Sequence, residues 1–263
     1  MVIKKQLPNP SIIIPYKKGY ASDAIRGRDA TERPWNLQQI IIELAAQFPH
    51  PTLLDVGCGT CARIIPLSDY FEKIYGIDPS ENIQEVALEN ITNSHKNNIN
   101  LVRGHAGQLP FQDASFSIVT SMMSFWDERE MFRVLQPGGY AIVETSGNRD
   151  KENIKRLFGQ DEQGWRGQRI DFDDGELQKV YQQRFSAYFK DIKIREGSWR
   201  THYTYEGIIA LLTETSTVRK FDKIADSKAL AEIVNKFTTE NGIESEQQRI
   251  LIIAKKDQTS KIS

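Results

Sequence analysis

Residues 53–60, LLDVGCGT, place Asp55, Gly57, Cys58 and Gly59 between an apolar run and a helical pattern. Glycines at such a turn let backbone approach a ligand where a β-carbon would collide. Asp78, with Pro79 beside it, ends the next apolar run, where a carboxylate can accept hydrogen bonds from two ribose hydroxyls. The pair of features specifies a nucleoside site. Two other chemistries share part of the pattern. Gly57-x-Gly59-x-x-Ala62 formally matches the dinucleotide fingerprint, which holds a pyrophosphate on a helix amino terminus. Cys58-Gly59-Thr60-Cys61 is a CxxC, and a redox pair at a helix start would have acidified thiols. A metal would need two further ligands, and no second close Cys or His pair is present, so no metal is expected and the cysteines read as small side chains packing the turn.

The elements that must position these residues alternate. Apolar positions in 36–48 recur at helical spacing after an arm at 1–35 that has no steady period. Strands are then predicted over 52–56, 74–77, 99–103, 116–121 and 140–144, with helices over 61–71, 80–91 and 128–135. A βαβα series of this kind favours a parallel sheet with helices on both faces. Gln136-Pro137-Gly138-Gly139 is a turn that stops the third helix and aims the chain into the fifth strand. The polar but aromatic segment 147–190 reads as a cap insertion, in which Asp171 to Glu176 caps a helix over 177–185. Beyond it come a strand at 192–196, helices over 205–212 and 227–239, and a final strand at 249–254.

These segments resemble the class I S-adenosylmethionine-dependent methyltransferases, particularly the group that includes the ubiquinone/menaquinone-biosynthesis type. LLDVGCGT is similar to that family's first motif and YGIDPS, residues 75–80, to its second. GHAGQLPF, residues 104–111, followed by Asp113, Ser115 and Phe116, is similar to its adenine segment, and FRVLQPGG, residues 132–139, to its landmark before the fifth strand. Three positions depart from the family pattern: Cys61 stands for a third glycine, His105 for an aspartate that accepts from the adenine amino group, and Ser117 for an aspartate. A small side chain at 61 is tolerable if its backbone angle is negative.

The resemblance implies a Rossmann-like, doubly wound α/β sheet of seven strands with the last antiparallel, an amino-terminal arm and a small helical, aromatic cap. The domain reading is an arm or lid at 1–35, an S-adenosylmethionine-binding core at 36–146, the cap at 147–190, the rest of the core at 191–256 and a tail at 257–263. It further implies S-adenosyl-L-methionine as cofactor, held by Asp55, Gly57, Cys58, Gly59, Asp78, Pro79, His105, Ala106 and Ser121, and in-line methyl transfer to a small-molecule acceptor. Tyr20, Arg26 and Arg28 of the arm, with Phe125 and Trp126 after the fourth strand, are candidates for the lid and acceptor pocket. Where a general base is needed, His202 beside Tyr203 is the candidate. A binding module without transfer, a nicotinamide oxidoreductase and an RNA methyltransferase are the competing readings.

Bulk properties narrow these. A formal net charge of -1 with both signs dispersed gives no basic stripe for nucleic acid. The three-isoleucine run before Pro15 is too short for a signal-peptide core or a membrane span, so a cytoplasmic protein is expected. Only two cysteines occur, which rules out a disulfide framework. Nothing in the sequence sets the oligomeric state.

Overall fold

Thr52–Val56, TLLDV, is buried from Leu53 onward on both faces, as a central parallel strand requires. It is β1 of the sheet in the computed structural model, which describes residues 27–258. The other long strands are β2 Lys73–Asp78, β3 Ile99–Arg103, β4 Phe116–Met122, β5 Leu135–Ser146, β6 Asp191–Tyr203 and β7 Gly242–Lys255. They lie in the order β3-β2-β1-β4-β5-β7-β6. Strands β1 to β5 pair in parallel, and β7 runs antiparallel to both β5 and β6. The seven strands with the last antiparallel are therefore present, and the two-residue pieces Arg28–Asp29 and Thr238–Thr239 flank β6 and β7. The order reverses between β1 and β4, which opens a crevice at their carboxyl ends.

Seven α-helices accompany the sheet among the described residues: α1 Leu37–Ala45, α2 Glu81–Ser94, α3 Glu128–Val134, α4 Glu152–Lys155, α5 Glu176–Ser186, α6 Tyr205–Glu214 and α7 Ser227–Phe237. Asn36 caps α1 by accepting from the Gln39 amide, and Asp127 caps α3 by accepting from that of Glu130. The strand period of two sends Leu54, Val119 and Val143 to one core with Leu177, Tyr181 and Phe185 of α5. Leu53, Ile118 and Ile142 go to the other, with Ile41 of α1. A third core joins Ile154 and Phe158 to α6, α7 and the outer ends of β6 and β7. Segment 147–190 thus divides, with Phe158 in the outlying core while Phe172, Tyr181 and Phe185 pack on the sheet. No helix among the described residues is long and apolar enough to cross a membrane.

Two expectations need correction. Residues 61–71 do not form an α-helix: turns lead into a 3-10 helix, Ile65–Tyr70, with Pro66 in its first turn. Strand β6 runs on to Tyr203 and β7 starts at Gly242, so residues 197–203 are strand. Their polar composition hid this. Seven of the thirteen pairs between β6 and β7 fall in 197–203, where Trp199, Thr201 and Tyr203 alternate as the buried face among more exposed polar residues.

Candidate cofactor and acceptor site

Three left-handed residues, Gly57 at φ +74, Gly59 at φ +54 and Cys61 at φ +61, turn the chain at the end of β1. The Gly57 and Cys58 amides donate to the Ile77 carbonyl at 2.8 and 3.1 Å, and the Gly59 amide donates to Asp78 Oδ2 at 3.1 Å. The turn is therefore anchored to the end of β2. A β-carbon on Gly57 would lie 1.8 Å from Ser124 Oγ, so the loop after β4 closes against the glycine. The negative angle expected for Cys61 is not observed. A left-handed non-glycine residue costs roughly 1–2 kcal/mol, and with Pro66 it accounts for the missing helix. A dinucleotide pyrophosphate needs a helix amino terminus with unengaged amides. No α-helix follows this turn, and the amides of Gly57, Cys58 and Gly59 already serve Ile77 and Asp78.

Both cysteines are buried free thiols. They pack over Gly76 of β2, where a β-carbon would meet Cys58 Sγ at 2.8 Å and Cys61 Sγ at 3.4 Å. A hydrogen bond with Cys61, then burial, pushes the Cys58 thiol well above its ordinary range. This is the reverse of the acidified thiol that redox chemistry requires, so the pair acts as packing.

Asp78 is buried, with Oδ1 accepting from the Ser80 amide at 2.9 Å and Oδ2 from that of Gly59. Burial raises its carboxyl, and those two amides oppose the rise. Each oxygen keeps a lone pair for a further donor. Pro79 follows at the head of the loop to α2. In the loop after β3, Ala106 is buried while His105 is exposed, bridged to Gln108. Sequence reasoning treated α3 as a landmark, yet its side chains hold this loop. Glu130 Oε2 accepts from the Leu109 amide at 2.8 Å, and Arg133 donates to the carbonyls of Leu109 at 2.9 Å and Phe111 at 2.8 Å.

Asp55, 2 % exposed, accepts from Thr120 Oγ1 at 2.6 Å. Burial pushes its carboxyl up to about 7 against the help of Thr120 and the nearby Arg63, while Asp78 adds to the rise. Between pH 4 and 7 the native Asp55 holds a proton that the unfolded chain has lost. Its contribution to stability is full below pH 4 and is lost as pH rises to 7, at most about 4 kcal/mol. Asp55→Asn is expected to flatten this part of the urea-midpoint profile; an unchanged slope would show that the carboxyl is not perturbed.

At the end of β4, Ser121 is fully buried and donates to the Phe125 carbonyl at 3.3 Å, while Phe125 is half-buried beside the crevice. Trp126 turns instead into the core: its indole donates to Glu128 at 2.9 Å, Glu128 pairs with Arg184 at 2.8 Å, and the Tyr181 ring lies tilted against it at 5.6 Å. Sequence reasoning missed Trp35, Arg63 and Glu144. The Trp35 indole donates to Glu144 Oε1 at 2.9 Å and Arg63 lies 3.7 Å from Oε2, so arm, turn and β5 meet over the crevice.

The remaining candidates are not brought there. His202 lies 3.4 Å from Glu244, and Arg28 pairs with His202 on the outer edge of β6. Glu244 precedes Arg249, the residue opposite Ser146 at the end of β5, by five residues, or roughly 16 Å of strand. Tyr203 is buried in the outlying core, and burial raises its phenol. Tyr20 and Arg26 lie outside the described residues.

Residues 54–143 match the family profile of the methyltransferase domain. Over 105 residues the chain is 37% identical to the demethylmenaquinone methyltransferase of Listeria monocytogenes, covering 36% of this chain and 44% of that protein. The chain spans less than half the length of this curated relative. Among solved structures, YcgJ of Bacillus subtilis superposes with a TM-score of 0.58 at 20% identity, over 84% of this chain and 97% of that one. The phosphoethanolamine N-methyltransferase 2 of Haemonchus contortus, bound to phosphomonomethylethanolamine and S-adenosylhomocysteine, gives 0.53 at 20% identity, over 85% and 53%. These likenesses show the fold, and the segment that matches the methyltransferase domain, residues 54–143, is the one that holds the glycine turn and Asp78.

Proposed function

We propose that the chain binds S-adenosylmethionine and transfers its methyl group in line to a small-molecule acceptor. The observation that carries this is the Asp78 carboxylate, tied to the amide of Gly59 in a left-handed turn, inside the segment that matches the methyltransferase domain. The donor set fits this cofactor: Asp78 accepts from ribose hydroxyls, Pro79, His105 and Ala106 border adenine, and Arg63 and Glu144 offer charges to the methionine end, with the Asp55 carboxyl near Arg63. When bound, the cofactor supplies an electrophilic methyl on a sulfonium.

The chain's own part is positioning and exclusion of water. Ser121 and Ser124 fix the β4 loop against Gly57, Phe125 borders the acceptor, and Trp35 pins the arm to Glu144. No base is required for that, and His202, paired with Glu244, is not part of the reading. The near-neutral charge supports a small molecule over nucleic acid, and two free thiols suit a cytoplasmic location.

The test is incubation with methyl-labelled S-adenosylmethionine and a panel of small acceptors and RNA. Label in a small acceptor, with equimolar S-adenosylhomocysteine, is expected. Label in RNA, or cofactor bound without turnover, would overturn the reading.

A further inference from the structure

Four cations, Lys151, Lys155, Arg169 and Arg249, gather where α4 and residue 169 meet the end of β5 and the middle of β7, with the Asp150 carboxylate in their midst. Asp150 and Lys151 are each 4 % exposed; Asp150 accepts from Lys151 Nζ at 3.0 Å and from Arg249. Lys155 is 3 % exposed, donates to the Gln168 carbonyl at 2.9 Å, and has no carboxylate in contact among the described residues. Arg169 donates to Thr145 Oγ1 and Ser146 Oγ, both at 2.9 Å, and to the Ser146 carbonyl. It too lacks a carboxylate in contact among the described residues.

One buried donor there, Arg169 Nε, has no acceptor among the described residues, and the Gln247 side-chain oxygen faces Arg249 at 3.5 Å. Buried cations in excess of anions are unfavourable, as are unpaired donors. The surplus acts on the lysines: burial first, with neighbouring cations, pushes Lys155 down to about 7 and Lys151 to about 8, while Asp150 pulls the other way. Such a site is completed by an anion.

We propose that this cluster seats an oxyanion group, carboxylate or phosphate, of the methyl acceptor, which makes that acceptor an acidic small molecule. The inference rests on the methyl-transfer reading for the acceptor's identity, though not for the anion site. Thr145 and Ser146, which hold Arg169, directly follow Glu144, and Glu144 pairs with Met122 at the end of β4. An anion on the guanidinium therefore sits at the carboxyl end of β5, next to the end of β4 that borders the crevice.

The full chain is titrated at pH 7 and constant ionic strength with inorganic phosphate, acetate or chloride, reading Tm, and separately with S-adenosylhomocysteine by calorimetry. Phosphate or acetate is expected to raise Tm above chloride without displacing S-adenosylhomocysteine, the stronger of the two naming the group. Arg169→Lys, which keeps the charge and loses the planar fork, should weaken that response about tenfold or more. Lys155→Met should abolish it while leaving the anion-free Tm equal or higher, since an uncompensated buried cation is removed.

A wild-type response no greater than chloride, or a Lys155→Met variant that keeps the response, overturns the anion site. Displacement of S-adenosylhomocysteine by phosphate overturns the assignment to the acceptor. Failure to bind S-adenosylhomocysteine while the phosphate response survives overturns methyl transfer and leaves the anion site standing.

Discussion

Gly57→Ala is expected to lower S-adenosylmethionine affinity by about a hundredfold or more. The new β-carbon meets Ser124 Oγ at 1.8 Å on a backbone at φ +74, and relief requires the turn to leave Asp78 or the β4 loop to leave the crevice. Roughly 1–2 kcal/mol comes from the left-handed conformation alone and the collision adds at least as much. The two parts are separable. Adding Ser124→Gly to Gly57→Ala removes the collision and leaves only the backbone cost, so the double variant should regain about tenfold in equilibrium binding. A double variant no better than the single one would show that Ser124 does not set the shape of the turn.

Asp78→Ala should weaken the cofactor by about 10- to 100-fold, because the change strips acceptors from the Gly59 and Ser80 amides as well as from the ribose hydroxyls, at roughly 1–3 kcal/mol for buried groups left unpaired. Asp78→Asn keeps one acceptor oxygen but turns an amide donor toward a backbone N–H, and its loss should lie between wild type and alanine. Binding isotherms for the three proteins give the ranking. Affinity unchanged in Asp78→Ala would remove the residue from the site.

Both residues were legible before any coordinates because their types answer to local backbone needs. Gly57 and Gly59 take angles that other residues avoid, and Asp78 ends a strand whose apolar run announces it. Cys61 shows the limit: its residue type points to an ordinary angle, and only the turn as a whole forces it left-handed. Trp35, Arg63 and Glu144 were invisible for another reason. They are far apart in the chain and meet only once β5 and the arm are in place.

Burial is also poorly encoded for long charged side chains. Lys151 and Lys155 stand in the polar segment that reads as a cap insertion, yet both are buried, and Lys155 packs under the chain at Gly167, where a β-carbon would lie 2.6 Å from Lys155 Cβ. His202 shows the opposite error. A histidine in a polar run attracts a catalytic reading, whereas its strand position pairs it with Glu244 on the far extension of the sheet. Trp126 likewise looked like pocket lining until Glu128 and Arg184 gave its indole a structural partner in the core.

The central claim, a methyl-donor site in place of a dinucleotide site, is tested most directly by calorimetric titration of the full chain with S-adenosylmethionine and, separately, with NAD(H). The account predicts saturable binding of S-adenosylmethionine at one site per chain and none of NAD(H), because no α-helix starts at the turn and the amides of Gly57, Cys58 and Gly59 already serve Ile77 and Asp78. Saturable binding of NAD(H) without binding of S-adenosylmethionine would contradict it.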